Sequence, residues 1–260
     1  MANMAARVRA LLVCTLANRA AALVVCGLNV PHAKPSAASR ALGNWPKSFP
    51  YPDADLKPMM AGNDGLFYLV PKFVQHAGDE CRDSLTRFYE AALPAQDGDV
   101  LDLCSSWTSH YPLGWKGRRV AILGLNPLEL IANPSKTEWA VQDLNQKPTL
   151  PYADASFDVV TNSLSVDYLT KPLEVFAEMA RVLKPGGLAC MAFTNRCFPT
   201  KVVPIWNRPF TEAHHVQIVG NYFKFSSDAW AELGVADVSP DGWVGQRDPM
   251  VVVMARKARK

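Results

Sequence analysis

No acidic residue precedes Asp53, yet Arg7, Arg9, Arg19, Lys34, Arg40 and Lys47 all lie before it. An N-terminus free of acids and containing Ala, Arg and Ser has the composition of an organellar transit peptide. Without those six bases the rest of the chain holds 21 basic and 24 acidic side chains, a net charge of −3, so its body is no polycation built for nucleic acid. The apolar runs Leu11 to Ala17 and Ala20 to Val30 both fall short of the ~20 residues that cross a bilayer. The second run, followed by Pro31 and A-K-P-S-A-A, is alternatively a secretory or thylakoid-type signal. No C-x-x-C pair occurs. Cys14 and Cys26 fall in the expected presequence, and Cys81, Cys104, Cys190 and Cys197 are scattered. A structural zinc site is therefore not expected, and the thiols read as buried and free. P-loop, H-E-x-x-H, G-x-S-x-G and G-x-G-x-x-G patterns are all missing, which argues against phosphoryl transfer, zinc proteolysis, serine hydrolysis and nicotinamide chemistry.

What is present is an alternation. Residues 41–62, rich in Pro, Asn, Gly and Asp, read as a surface arm. Phe73, Leu85, Phe88, Tyr89 and Leu93 have helical spacing and predict a helical region over Phe67 to Leu93. Short apolar runs follow at Val100–Leu103, Val120–Leu125, Phe157–Ser163 and Leu188–Phe193. Between the last two, Val175, Phe176, Met179, Val182 and Leu183 share one face of a helix over Pro172–Leu183, with Pro172 in its first turn and Gly186 after its end. Strands linked by crossover helices imply a parallel sheet covered on both faces. Toward the C-terminus, Phe210–Phe223 and Ser227–Leu233 read as helices, the second capped at Ser226-Ser227-Asp228. Val235–Val238 and Met250–Met254 read as a closing antiparallel hairpin.

The stretch D-L-C-S-S-W-T-S-H (Asp102 to His110) stands where the first strand ends. Taken with G-L-N (Gly124 to Asn126), W-A-V-Q-D-L, L-P-Y-A-D-A-S-F-D-V-V (Leu150 to Val160) and R-V-L-K-P-G-G (Arg181 to Gly187), this order resembles class I S-adenosylmethionine-dependent methyltransferases of the type 11 kind. The resemblance runs from about Val100 to Ala255. The details D-L-x-S-S-W-x-S-H, N-R-x-F-P-T-K and F-Y-x-x-P-K-F-V-x-H are similar to poorly characterised methyltransferase-like proteins of cyanobacteria and plastids.

The resemblance implies an α/β fold: a doubly wound, Rossmann-like, mostly parallel sheet with a C-terminal antiparallel hairpin strand. Composition and resemblance together divide the chain into 1–52, a disordered transit peptide; 53–95, an arm and helical segment; and 96–260, the methyltransferase-like domain. They point to the chloroplast, with the mitochondrion as alternative. S-adenosyl-L-methionine would be the cofactor and an unidentified small molecule or protein the methyl acceptor, with no nucleic acid, metal or membrane span.

Asp102 matches the acid that helps hold the cofactor's methionine part, against the plainer reading of a turn or cap. The family loop D-x-G-x-G-x-G uses glycine for close backbone approach; here Cys104, Ser106 and Thr108 stand in those places. Either Ser105, Ser106, Thr108 and Ser109 hydrogen-bond the ligand, or Trp107 and the serines fill the pocket. Asn126 stands where an acid commonly receives the ribose hydroxyls, and its neutral amide predicts weaker binding. Glu129 could compensate, but reads first as a solvent-facing helix charge. Asp143 and Leu144 match the adenine contact, and Asn162 the next strand end, where Asp167 and Tyr168 are candidates to face substrate. Asn195, Arg196 and Lys201 could hold an anionic substrate group or be plain surface residues. His110, and more remotely His76, are general-base candidates because imidazole titrates near neutrality. A second reading is a non-catalytic scaffold or assembly factor with a degenerate cofactor loop.

Overall fold

A computed structural model describes residues 23–60, 70–209, 211–242 and 248–259. Seven strands form one sheet in the order β5-β4-β3-β6-β7-β9-β8: β3 (Asp99–Leu103), β4 (Arg119–Gly124), β5 (Glu138–Val141), β6 (Phe157–Ser163), β7 (Leu183–Phe193), β8 (Trp230–Asp237) and β9 (Val251–Lys257). The first five run parallel, and β9 pairs antiparallel with both β7 and β8. The expected doubly wound sheet with its antiparallel close is therefore present. Its central strands read as apolar runs because both faces are covered. Alternate residues point to opposite layers. Leu101, Leu103 and Val160 pack with α3 (Pro172–Val182) and α4 (Glu212–Ser226), while Val100 and Val159 pack with α1 (Asp79–Ala92). The short α2 (Pro127–Ala132) places Leu130 on Val120 and Ile122.

Three local expectations fail. The segment read as a helix over Ser227–Leu233 is mostly strand. Trp230↔Lys257 through Asp237↔Val251 are paired, and Ser227 accepts the Ala229 N–H in a turn (3.1 Å) rather than starting a helix. Long-range pairing overrides local preference there. The helix expected from Phe67 begins only at Asp79. Residues 70–78 form an irregular strap on which Phe73 is exposed, and residues 67–69 lie outside the described residues.

The third failure is the disordered N-terminal segment over 1–52. Residues 1–22 lie outside the described residues, but the chain from Leu23 is folded. The apolar run taken for a signal breaks into two strands, β1 (Leu23–Val25) and β2 (Leu28–Val30). Cys26 and Gly27 join them with φ of 48° and 71°, the positive pair that two-residue hairpins require. Cys26 is thus a turn residue of the fold. Val30 is fully buried, Lys34 N–H bonds Asp237 O at 2.8 Å, and Arg256 Nε donates to Cys26 O at 2.6 Å. Further on, Leu56 is buried and Asn221 Nδ2 donates to the Tyr51 hydroxyl at 2.9 Å, so the arm also packs on the domain.

Candidate active site

The strand order reverses between β3 and β6, and ligands of open parallel sheets bind outside the carboxyl ends of the strands at such a point. A cavity of about 710 Å³ opens there, within the roughly 300–1,000 Å³ of small-molecule sites.

The loop after β3 forms one wall. Cys104 holds φ at +54°, a left-handed conformation that glycine adopts freely and cysteine does not. The next residue lies hard against β4: Ser105 N–H donates to Leu123 O at 2.8 Å. A Cβ on Gly124 would stand 2.1 Å from Ser105 O. The glycine this contact needs is on the neighbouring strand instead of in the loop. Side chains brace the remainder. Asp102 is buried and accepts from Ser105 Oγ (2.6 Å) and Thr161 Oγ1 (2.8 Å). Burial pushes its carboxyl up to about 6. Tyr111 OH lies 2.7 Å from Thr161 Oγ1 and extends the chain inward. Asn133, fully buried after α2, donates through Nδ2 to Ser106 O and Ser109 Oγ, both at 2.9 Å. Asp102 thus lines the cavity chiefly as a brace for the loop. Burial and the nearby Asp102 push the Cys104 thiol up to about 12, which keeps it neutral.

Trp107 lines the cavity without filling it. Its indole N–H reaches Val74 O at 3.4 Å and its ring meets the edge of Phe73. The strap is also fixed by Lys72 N–H, which donates to Glu129 Oε1 at 2.7 Å. Glu129 Oε2 accepts the Ser106 hydroxyl. Glu129 is buried, not the solvent-facing charge expected: its position on α2 turns it toward the loop.

At the end of β4 the expected ribose contact also changes. Asn126 Oδ1 accepts Leu128 N–H at 2.9 Å and Glu129 N–H at 3.2 Å, so the side chain is the N-cap of α2. The strand itself ends at Gly124, which has no side chain to offer. Asp143 and Leu144 do reach the cavity. Asp143 Oδ1 accepts Asn145 N–H at 2.9 Å, whereas Oδ2 is buried with no partner. An unpaired buried carboxylate oxygen costs free energy until a donor arrives. Asn162 is not among the lining residues: it lies between strands, its Nδ2 donating to Leu103 O at 3.2 Å.

His76, His110, Tyr168, Asn195, Arg196 and Lys201 also line the cavity. Burial pulls the His110 imidazole down to about 4, with nearby Arg82 adding to the shift, so it stays neutral at physiological pH. The Tyr168 oxygen accepts Phe198 N–H at 2.8 Å, which fits bracing of the loop after β7 better than proton transfer. Asp167 is not among the lining residues; it is buried, its carboxyl raised by burial to about 8. Arg196 is paired with Asp248 at 2.7 Å, so its charge is already answered. Lys201 is buried rather than on the surface, its ammonium donating to Met60 O at 3.2 Å. Sequence reasoning missed Asn133, whose only local signal was the Asn-Pro pair after α2, and read the strap within F-Y-x-x-P-K-F-V-x-H as helix.

Among the described residues no group of three His, Cys, Asp or Glu comes together to hold a metal, and no helix is long and apolar enough to cross a membrane.

Sheet order and crevice together define an α/β domain with a ligand-sized cavity at its strand ends. Residues 125–191 match a protein family described as a methyltransferase domain. A demethylmenaquinone methyltransferase of Paenarthrobacter aurescens is 41% identical over 63 residues, 24% of this chain and 23% of that protein. The ubiquinone/menaquinone biosynthesis C-methyltransferase UbiE of Dinoroseobacter shibae is 32% identical over 123 residues, 46% of this chain and 42% of that protein. The chain therefore matches less than half the length of these curated relatives. Among solved structures, the [4+2]-cyclase SpnF superposes with a TM-score of 0.53 at 12% identity, over 82% of this chain and all of that one. That likeness concerns the fold alone. The likeness to a methyltransferase domain is thus carried by the middle of the chain, residues 125–191.

Proposed function

We propose that this protein is an S-adenosylmethionine-dependent methyltransferase. The observation that carries the reading is Asp143 Oδ2, a buried acceptor without a donor on the wall of a ligand-sized cavity. The exocyclic amine of an adenine supplies such a donor. The cavity continues along Gly124 and the braced loop of Cys104 to Ser106, with room for the rest of an adenosyl ligand. When bound, the cofactor's sulfonium supplies an electrophilic methyl group.

The chain's own task is then positioning and exclusion of water. His110, which lines the cavity and is neutral through burial, would take a proton from the acceptor. Lys201 gives the cavity a buried positive charge, which suits an acceptor that becomes anionic. The acceptor itself stays open. The acid-free, Arg-containing stretch before Leu23 supports import into an organelle, for which the plastid is our proposal.

A specific observation also supports the scaffold reading. The expected ribose-binding acid is replaced by Asn126, which is engaged as a helix cap, and the strand itself ends in Gly124. Calorimetry of the full chain with S-adenosylmethionine separates the two. Binding that Asp143→Ala weakens tenfold or more, about the loss of one hydrogen bond to a charged group, supports the enzyme. Silence at about 1 mM ligand, a binding free energy weaker than roughly −4 kcal/mol, overturns it.

A further inference from the structure

An adenosyl ligand whose base meets Asp143 brings a ribose diol, two hydroxyl donors, to the end of β4. These need acceptors, and the obvious places do not provide them. Gly124 has no side chain, and Asn126 Oδ1 already takes two backbone amides. Three acids line the cavity: Asp102, Glu129 and Asp143. Asp102 is committed to two hydroxyls of the protein, one on each oxygen. Asp143 lies at the base end. The third is Glu129.

We infer that Glu129 is the carboxylate that receives the ribose hydroxyls of the adenosyl ligand, an acid moved from the strand end to the first turn of α2. This rests on the methyltransferase reading above. Glu129 is buried on the cavity wall, and its position is set from two sides: Ser106 Oγ donates to one oxygen and Lys72 N–H to the other. A carboxylate offers about four acceptor sites. Two are taken, which leaves two for a diol with two protons to give. Asn126 contributes by capping the helix and so fixing Glu129, whose own amide it accepts. The exchange also explains why the strand end tolerates glycine. A carboxylate on residue 124 would collide with Ser105 O, whereas one on residue 129 reaches the cavity from the next turn.

The test uses the full chain, with S-adenosylhomocysteine and its 2′,3′-dideoxy analogue as probes in calorimetry. The wild type is expected to bind the diol about ten- to hundredfold more tightly than the dideoxy compound, the range for hydrogen bonds to a charged group. In Glu129→Gln, that ratio should shrink to a few-fold, with the main loss on the diol side. If the variant weakens both ligands equally, Glu129 only braces the loop and the inference falls while the cofactor reading stands. If the wild type binds the two ligands alike, the inference falls without any variant. If the wild type binds neither, the methyltransferase reading fails and takes this one with it. Glu129→Asp, one methylene shorter, serves if Gln does not fold: the same ratio must drop, and its retention overturns the assignment.

Discussion

Replacing Gly124 with Ala tests the loop architecture most directly. The new methyl would lie 2.1 Å from Ser105 O and 3.1 Å from a methyl of Leu130. Ser105 O belongs to the backbone and cannot swing aside, so the loop itself must lift from β4. Overpacking of this kind costs about 1–3 kcal/mol. Lifting the loop also stretches the Ser105 N–H bond to Leu123 O, whose loss adds about 0.5–1.5 kcal/mol. The expected destabilisation is therefore about 2–4 kcal/mol by urea unfolding of the full chain. Cys104→Gly is the counterpart. It releases a left-handed residue worth about 1–2 kcal/mol, but gives back about 0.5–1 kcal/mol in chain entropy and some burial of the thiol. Its net effect should lie within about 1 kcal/mol of zero. A Gly124→Ala cost below about 0.5 kcal/mol would refute the claim that β4 carries the loop's missing glycine.

Four further outcomes are expected. Asn133→Ala removes the donor that holds Ser106 O and Ser109 Oγ; it should cost about 1–3 kcal/mol in thermal unfolding, and a neutral result would show that the loop stands alone. Asp167 has a folded pKa of about 8, raised above the ordinary carboxyl value, so its contribution is full at low pH and is lost as pH climbs to 8. Asp167→Asn should flatten that fall, and parallel stability–pH curves for variant and wild type would contradict it. The His110 imidazole, followed by NMR, should titrate near 4; a midpoint above 6 would remove the argument that burial keeps it neutral. Deleting residues 1–34 removes the buried Val25, Val30 and Ala33 and uncovers the apolar surface they pack on; by urea unfolding it should cost at least about 3 kcal/mol more than deleting 1–22, and equal stabilities would contradict the hairpin's role.

Four of the five parallel strands were legible because buried strands announce themselves as apolar runs, and β6 falls where the apolar run placed it; β5, a short and largely exposed edge strand, was not. The strand β8 was not, since A-E-L-G-V has little strand character of its own and is held by β9. The N-terminal hairpin was hidden by its composition: an apolar run free of charge serves a signal and a two-stranded ribbon equally well. Within the site, Asp102, Asp143 and the Cys104–Ser106 loop could be placed from the pattern alone. Glu129 could not, because whether a residue in a helix's first turn faces solvent or a cavity depends on what packs beside it. Asn126 was misjudged for a related reason: Asn before Pro-Leu-Glu is a helix cap by local chemistry, and that local bond outweighed its position near the strand end.

The hairpin of Leu23–Val30 has one more consequence. β8 is the outermost strand on its side of the sheet, and the Lys34–Asp237 bridge covers one end of its open hydrogen-bonding row while Val25 packs over Gly234. An uncovered row of that kind is a template for pairing with another chain. A processing protease that cut beyond Lys34 would leave the edge bare and favour self-association, so the fold itself limits how far the N-terminus can be trimmed.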